Sequence, residues 1–429
     1  MEGRLSRAAL ALKPSPIQEL SLLAQRSNAI NLAEGFPDFP APPELKQAAV
    51  DAINSDYNQY RHVQELCNYV ARRAKEIHSI DADPLTDIAI CCGQTEAFAA
   101  TIFATINHGD EVLLFDPAYE TYETCIALAG GVPIYVELDP PMWTLDIKRF
   151  RESFTSRTKA VVLNSPHNPT GKVFTIDEMT AIAGACCDMD CLAITDEVYE
   201  HVTFDTEKHF SLATLPGMQN RTIITSSLSK TFSVTGWRIG WAIAPAVIAS
   251  AIKNIHVKLT DSAPAPFQEA ALTAFRSPPG FFEALRAVKK TVLLASNKCY
   301  ICVLTDYQKR RDYAVKMLAE VGFKVHFKPR GAFFIFAELP ENCVLSDVEF
   351  VAKLIMRAGV AAVPGCGFFH TGSRICNGAH SESSSMKESL ESQRDLSYKK
   401  RYVRFAFCKS KATLDAAAGK MNELPNPWR

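Results

Sequence analysis

From about residue 85 the chain alternates between two hydrophobic rhythms. Short runs that are apolar on both faces (DIAICC, EVLLF, VPIYVEL, KAVVLN, CLAITD, RTIITSS and IGWAIA) are separated by stretches of helical period, such as TEAFAATIFATI and IDEMTAIAGACCDMD. A strand buried on both faces reads as a continuous apolar run. Such strands alternating with helices build a largely parallel sheet covered on both sides. The pattern predicts an α/β fold with a mostly parallel sheet between helices. The polar motifs fall just after several of these runs, at the strand ends where the chemistry of such sheets gathers.

After Pro266 the helical rhythm dominates, in FQEAALTAF, FFEALRAV and DYQKRRDYAVKMLAEVG. An α+β region follows, with GFKVHF, AFFIFAEL, VEFVAKLIMRAG, VAAVP and RYVRFAFC. The expected organisation is a large domain over residues 46–286 and a smaller C-terminal domain over 287–429. The N-terminal segment, residues 1–45, is expected to join the smaller one. Two stretches break the rhythm. Residues 290–304 (KTVLLASNKCYICVL) interrupt an otherwise charged helix, and residues 371–399, rich in Ser, Glu and Lys, read as a mobile loop.

Composition narrows the class without changing the fold. Lys+Arg number 46 against 47 Asp+Glu. That balance argues against an electrostatic nucleic-acid or membrane-surface partner and favours a small molecule. The 13 cysteines are an odd number without a disulfide framework, and the one CxxC, Cys299 to Cys302, lacks the second pair a zinc ribbon needs. They read as reduced thiols of an intracellular protein without a metal. The opening run AALAL is too short for a secretory core, and no apolar run is long enough to span a bilayer. A cytoplasmic enzyme is the expectation.

The chemistry centres on SSLSKTFSVTGWRIGW, residues Ser226 to Trp241. Lys230 sits among small hydroxyl residues after a strand, a setting for a lysine that attacks a carbonyl, provided burial or a nearby cation lowers its pKa. Ser227 and Arg238 could bind a phosphate beside it. TDEVYEH puts Asp196 at a strand end, where it could pair with a protonated pyridine nitrogen, and Tyr199 three residues on could reach a phenolic oxygen. The plainer reading of Asp196 is a helix N-cap with Tyr199 as packing. NSPHNPTG holds Asn168 on an Asn-Pro turn, with room for a cis bond to Pro169. CCGQTEAF offers the backbone N–H groups of Gly93, Gln94 and Thr95 at a helix start, a phosphate site in waiting. Tyr119 of FDPAYETYE could stack on a flat ring. In RYVRFAF, Arg404 is flanked by apolar residues and could grip a carboxylate, whereas Arg401 reads as surface. Gly35 of NLAEGFPDF would let backbone approach a substrate. Phe36, Phe333, Phe334, Phe368 and Phe369 lie near these loops; each reads equally as apolar site wall or as ordinary core.

Together these strings resemble the fold-type-I, pyridoxal-phosphate-dependent class-I aminotransferases. They run in that family's order over nearly the whole chain: NLAEGFPDF, NQY, the Gly-Gln-Thr loop, NSPHNPTGK, DEVY, SLSKTFSVTGWRIGW and YVRFAF. Within the family the chain is similar to the kynurenine/glutamine–phenylpyruvate branch, above all to plant aromatic and methionine aminotransferases using acceptors such as indole-3-pyruvate. The resemblance implies that Lys230 carries the cofactor, that Asp196 partners its ring nitrogen, and that Tyr199 and Asn168 partner its phenolic oxygen. It implies a phosphate cup of Gly93, Gln94, Thr95, Ser227 and Arg238, with Tyr119 stacked on the ring. Arg404, helped by Asn168 and Gly35, would hold the substrate α-carboxylate. Tyr60 of NQY would reach the cofactor of the neighbouring subunit, implying a homodimer acting on an amino acid and a 2-oxo acid. A β-lyase using the same residues and an inactive variant are the alternatives. Three departures from the family pattern stand out: Glu65 where a glycine is usual, the 290–304 stretch, which resembles an insertion, and the long 371–399 stretch. If the Glu65 position needs a positive φ, local strain follows.

Overall fold

The structure is a computed structural model that describes residues 4–6, 9–10, 12, 16–276, 306–370 and 396–423. Its centre is a sheet of eight strands: β2 (Ile88–Cys92), β3 (Glu111–Asp116), β4 (Val132–Asp139), β5 (Thr144–Leu145), β6 (Thr158–Asn164), β7 (Leu192–Asp196), β8 (Thr222–Ser227) and β9 (Ile239–Ile243). The order across the sheet is β2-β9-β8-β7-β6-β3-β4-β5. The block from β8 to β4 is parallel, β9 runs antiparallel to both its neighbours, and β5 is antiparallel to β4.

Alternation along each strand feeds two separate cores. Val112, Leu114, Val162 and Ile194 pack on one face with Phe98, Ile102, Ile126 and Ile252. Leu113, Phe115, Val161 and Leu163 pack on the other with Val70, Met179, Ile182 and Ala271. This is why the strands read as unbroken apolar runs: successive side chains point to opposite faces, and here both faces are buried. Each predicted strand of the central sheet is present.

The remaining strands lie apart from that sheet. β1 (Ile30–Asn31) pairs in parallel with β11 (Val360–Ala361), so the N-terminal segment hydrogen-bonds to the C-terminal third of the chain. β10 (Phe334–Glu338), β13 (Tyr402–Ala406) and β12 (Val363–Pro364) form an antiparallel sheet in the order β10-β13-β12.

Within GFKVHF, Lys324 reaches β10 in an isolated bridge to Glu338. Phe323 and Phe327 are buried, so core filling rather than a ladder explains the apolar pattern. Three expectations are corrected. Glu65 carries no strain. It lies in the first turn of the helix Gln64–His78, is absent from the positive-φ residues, and pairs with Arg276 at 3.0 Å. Arg401 does not idle on the surface; it donates to the carbonyls of Leu339 (3.1 Å), Pro340 (2.6 Å) and Cys343 (2.5 Å). The end of the stretch read as a mobile loop is anchored. Lys399 is buried, with its ammonium 2.8 Å from Asp116 and 2.9 Å from Glu137. Two matching carboxylates make burial of that charge tolerable. Residues 290–304 and 371–395 lie outside the described residues. Among the described residues no helix is long and apolar enough to cross a membrane.

Candidate active site

The motifs meet along one edge of the central sheet because register aligns the strand ends. Asn164 is opposite Asp196, Asp196 opposite Thr225, and Ser227 opposite Gly240. Asn164 then ties two motifs together: its amide nitrogen donates to the Asp196 carbonyl (3.0 Å), and its Oδ1 accepts from the Asn168 N–H (2.7 Å). The turn that follows is stiffened by a bond from the His167 N–H to the Lys172 carbonyl (2.8 Å) and by the buried Lys172–Glu178 ion pair (2.7 Å). The Asn168–Pro169 bond is cis, as the string allowed.

No helix follows Asp196, so its N-cap reading falls. Its Oδ1 accepts from the Val198 N–H at 3.2 Å, and its Oδ2 accepts from the Tyr122 hydroxyl at 2.6 Å. Burial pushes this carboxyl up to about 6, against the pull of Tyr122 and Lys230. Tyr122 was not singled out in the sequence. It follows Tyr119 by three residues, one helical turn, and that spacing was the available signal. Tyr119 itself is half-buried, edge-on to Tyr122 at 5.7 Å.

The helix Gly93–Thr105 starts directly from β2. Gly93 has φ +80°, and a Cβ there would lie 2.4 Å from the Arg238 guanidinium, so only glycine lets that cation sit over the helix start. Arg238 is fixed by the carbonyls of Thr235 (3.0 Å) and Cys92 (3.3 Å). The Gln94 side chain is turned away to Thr225 (3.1 Å), which leaves its backbone for a ligand, and Thr95 is exposed. Ser227 is buried, its hydroxyl oxygen accepting from the Ser229 N–H at 3.3 Å.

Lys230 donates to the Gly35 carbonyl at 2.8 Å and lies 6.0 Å from the Tyr199 ring centre. Burial, helped by Arg404 and Arg238, lowers its ammonium to about 8. Tyr199 is buried, edge-on to Phe333 and Phe334. Arg404, on β13, crosses to the same place. Nη1 donates to Asn168 Oδ1 (2.8 Å), Nη2 donates to the Ala33 carbonyl (2.6 Å), and the rings of Phe334 and Phe368 flank it at 4.2 and 4.7 Å. Its Nε is buried without a hydrogen-bond partner, and burial lowers the group to about 10. A Cβ on Gly35 would stand 2.4 Å from the Phe334 ring, so this close approach requires glycine. Tyr60 lies outside the cluster, 78% exposed.

Two groups of metal-ligand residue types also converge among the described residues: His78, Glu197 and His209, and Cys91, Glu96 and His256. Both are organised by histidine–carboxylate hydrogen bonds, His209 with Glu197 at 2.7 Å and His256 with Glu96 at 2.8 Å.

A lysine with a lowered pKa, a buried carboxylate, a cation over a glycine-led helix start and a guanidinium with an orphaned N–H thus lie close enough to act on one another. Residues 27–392 match the model of the family described as aminotransferase class I and II. The chain belongs to this family. The aminotransferase is 36% identical over 411 residues to a probable N-succinyldiaminopimelate aminotransferase of Mycobacterium tuberculosis, covering 95% of each chain. It is 34% identical to the methionine aminotransferase of Escherichia coli over 81% of this chain and 86% of that one. With the human kynurenine–oxoglutarate transaminase 1 it shares 30% identity over 97% of this chain and 96% of the other. The solved structure of the Mycobacterium enzyme superposes with a TM-score of 0.84 at 33% identity, covering 97% of this chain and 99% of that one. The protein is therefore a fold-type-I, pyridoxal-phosphate-dependent enzyme of amino-acid transamination, acting on an amino acid and a 2-oxo acid.

The residues present fit that cofactor. The space a Cβ would fill at Gly93 holds the Arg238 guanidinium at the helix start, the Asp196 carboxylate is buried at a strand end and held by Tyr122, and the Arg404 Nε is buried without a hydrogen-bond partner.

Proposed function

We propose that this aminotransferase takes the amino group from an aromatic amino acid or methionine and passes it to a 2-oxo acid, with phenylpyruvate or indole-3-pyruvate among the acceptors. The observation that carries the reading is the pairing of Lys230 with Arg404. One is a lysine brought close to neutrality; the other is a guanidinium flanked by Phe334 and Phe368. Methionine and kynurenine relatives support the substrate class.

Bound pyridoxal phosphate supplies the electron sink that makes an amino acid's Cα–H acidic. Asp196 would hold the ring nitrogen, and Tyr199 and Asn168 the phenolic oxygen. The backbone of Gly93, Gln94 and Thr95, with Ser227 and Arg238, would hold the phosphate, and Tyr119 would lie against the ring. Arg404 grips the substrate carboxylate, with Asn168 and the Gly35 backbone completing the grip. That fixes the Cα proton toward Lys230 Nζ. The neutral amine would carry that proton from Cα to the bound cofactor within the same half-reaction, which leaves the lysine neutral again. It would run the transfer in reverse with the incoming 2-oxo acid in the other half of a ping-pong cycle. Apolar rings around Arg404 exclude water and strengthen its hold on the carboxylate.

The same reading places Tyr60 in a homodimer, reaching the cofactor of the neighbouring subunit; its 78% exposure in the single chain suits a residue awaiting a partner. We assign residues 46–286 to a large domain and 287–429 to a small one that residues 1–45 join, supported by the β1–β11 pairing. A cytoplasmic location belongs to the same proposal, and the free cysteines among the described residues support it.

The test is a half-reaction on protein loaded with pyridoxal phosphate. L-Phenylalanine, L-methionine, L-aspartate and N-succinyldiaminopimelate are added separately while the visible spectrum is followed. Conversion to the pyridoxamine form by the first two supports the reading. Conversion only by the last two moves the substrate class, release of free ammonia or thiol signals elimination, and no conversion by any donor points to an inactive variant.

A further inference from the structure

The backbone of residues 32–39 is held by donors from two distant parts of the chain. The Leu32 carbonyl accepts from the Ala406 N–H (2.7 Å) and the Phe39 carbonyl from the Ser233 hydroxyl (2.9 Å). Three carbonyls between them accept from cations: Ala33 from Arg404 (2.6 Å), Gly35 from Lys230 (2.8 Å) and Phe36 from Lys409 (2.8 Å). Two of these cations are the ones the reaction needs elsewhere. Arg404 must turn hydrogen bonds to a substrate carboxylate, and Lys230 must leave Gly35 to meet the cofactor and the Cα proton.

Lys409 is different. It is 1% exposed, and its ammonium also sits 3.9 Å from the centre of the Phe36 ring, so one charge holds both the carbonyl and the side chain of the same residue. Asp38 then ties the far side of the loop to Ser410 and Thr413, the residues that follow Lys409. Among the described residues no carboxylate pairs directly with this ammonium; burying a charge that way is costly, and a position that does so invites a reason beyond packing.

We propose that Lys409 is a positioning residue: it keeps the Gly35–Phe36 backbone and the Phe36 ring in place at the substrate site while Lys230 and Arg404 are engaged in the reaction. Phe36 thereby becomes a wall that discriminates among donor side chains. This rests on the roles given above to Lys230 and Arg404.

The test uses the loaded enzyme and the variants Lys409→Met, which keeps the stem and removes the charge, and Lys409→Arg, which keeps a cationic donor. Borohydride reduction and peptide mass spectrometry first establish that the cofactor is carried by Lys230. In Lys409→Met, KM for L-phenylalanine is expected to rise by about tenfold or more with kcat changed less than about threefold, the signature of lost substrate binding rather than lost chemistry. Hydrogen exchange of the amides of residues 33–39 is expected to quicken by about tenfold, and Lys409→Arg to recover most of both effects. Unchanged KM and exchange, or a fall in kcat alone, with the cofactor still on Lys230, would overturn this proposal and leave the function standing. A cofactor carried by another residue would overturn both. Should Lys409→Met not fold, Phe36→Ala decides: KM for L-phenylalanine rises by about tenfold while that for L-alanine moves little, and equal KM changes for the two donors would sink the idea.

Discussion

The two walls of the cleft are held by different means. On the sheet side, Asn168, Asp196 and Ser227 are fixed at strand ends by bonds to close neighbours, such as Asn164 four residues before Asn168 and Val198 two residues after Asp196. On the opposite wall, Arg404 and Lys409 reach Ala33 and Phe36 across 371 and 373 residues. Strand register and short-range bonds organise the first wall, and cations bonded to carbonyls remote in sequence organise the second. A wall built from register holds its geometry whatever is bound. On the proposed roles of Lys230 and Arg404, a wall built from cations would be rearranged in every cycle. On those roles, rigid cofactor holding falls to one side and substrate selection to the other.

The largest expected effect comes from removing the residue that both walls share. Lys230→Ala should lower turnover by about four orders of magnitude, the upper range for a positioned acid–base group; a stopped-flow half-reaction that keeps near-normal rates would end the assignment. The same lysine gives a pH signature. Its neutral amine is the reactive form and its pKa is about 8. Capture of pyridoxal phosphate by cofactor-free protein should therefore quicken as pH rises toward that value and level off above it.

Arg404→Lys tests the cationic wall alone. A lysine cannot reproduce the planar fork, and losing a partner of a buried charge pair costs about 2–5 kcal/mol, so kcat/KM should fall by about a hundredfold or more. The spectrum of the bound cofactor should not change, and a change would mean that the walls are coupled. Tyr122→Phe tests the sheet wall. It removes the 2.6 Å bond to Asp196, a hydrogen bond to a charged group worth about 1.5–3 kcal/mol. Turnover should drop about tenfold with KM for the amino acid little altered; an altered KM and intact kcat would reverse the proposed division. Glu65→Gly should do least. The position is helical, so glycine lowers stability by about 0.5–1 kcal/mol, read as a slightly lower melting temperature, and restores no activity.

The division also decides what could be read from the sequence. Motifs on the sheet wall are contiguous strings in which strand, turn and chemical group sit side by side, so Asp196, Asn168, Gly93 and Lys230 are legible in the sequence. Apolar runs fixed the central sheet for a similar reason, since burial on both faces leaves no alternation to misread. The far wall was only half legible. Arg404 could be singled out by its apolar flanks, but nothing near Lys409 announced that it would bond a carbonyl 373 positions earlier. Arg401 and Lys399 were misjudged because a charged residue's partners decide its place, and theirs are remote: Cys343 for one, Asp116 and Glu137 for the other.

The clasp at Asp116 has a consequence for how this chain tolerates length. One carboxylate receives the His370 N–H on Oδ1 (2.9 Å) and the Lys399 ammonium on Oδ2 (2.8 Å), and that ammonium also bonds the His370 carbonyl (3.2 Å). The two sides of the long stretch before β13 are thus pinned together at a single point. Closing a longer excursion between pinned ends costs only about 0.6 kcal/mol per doubling of its length. The clasp therefore sets where the chain re-enters β13, and with it Arg404 a few positions beyond Lys399, whatever the length of sequence that lies between His370 and Lys399.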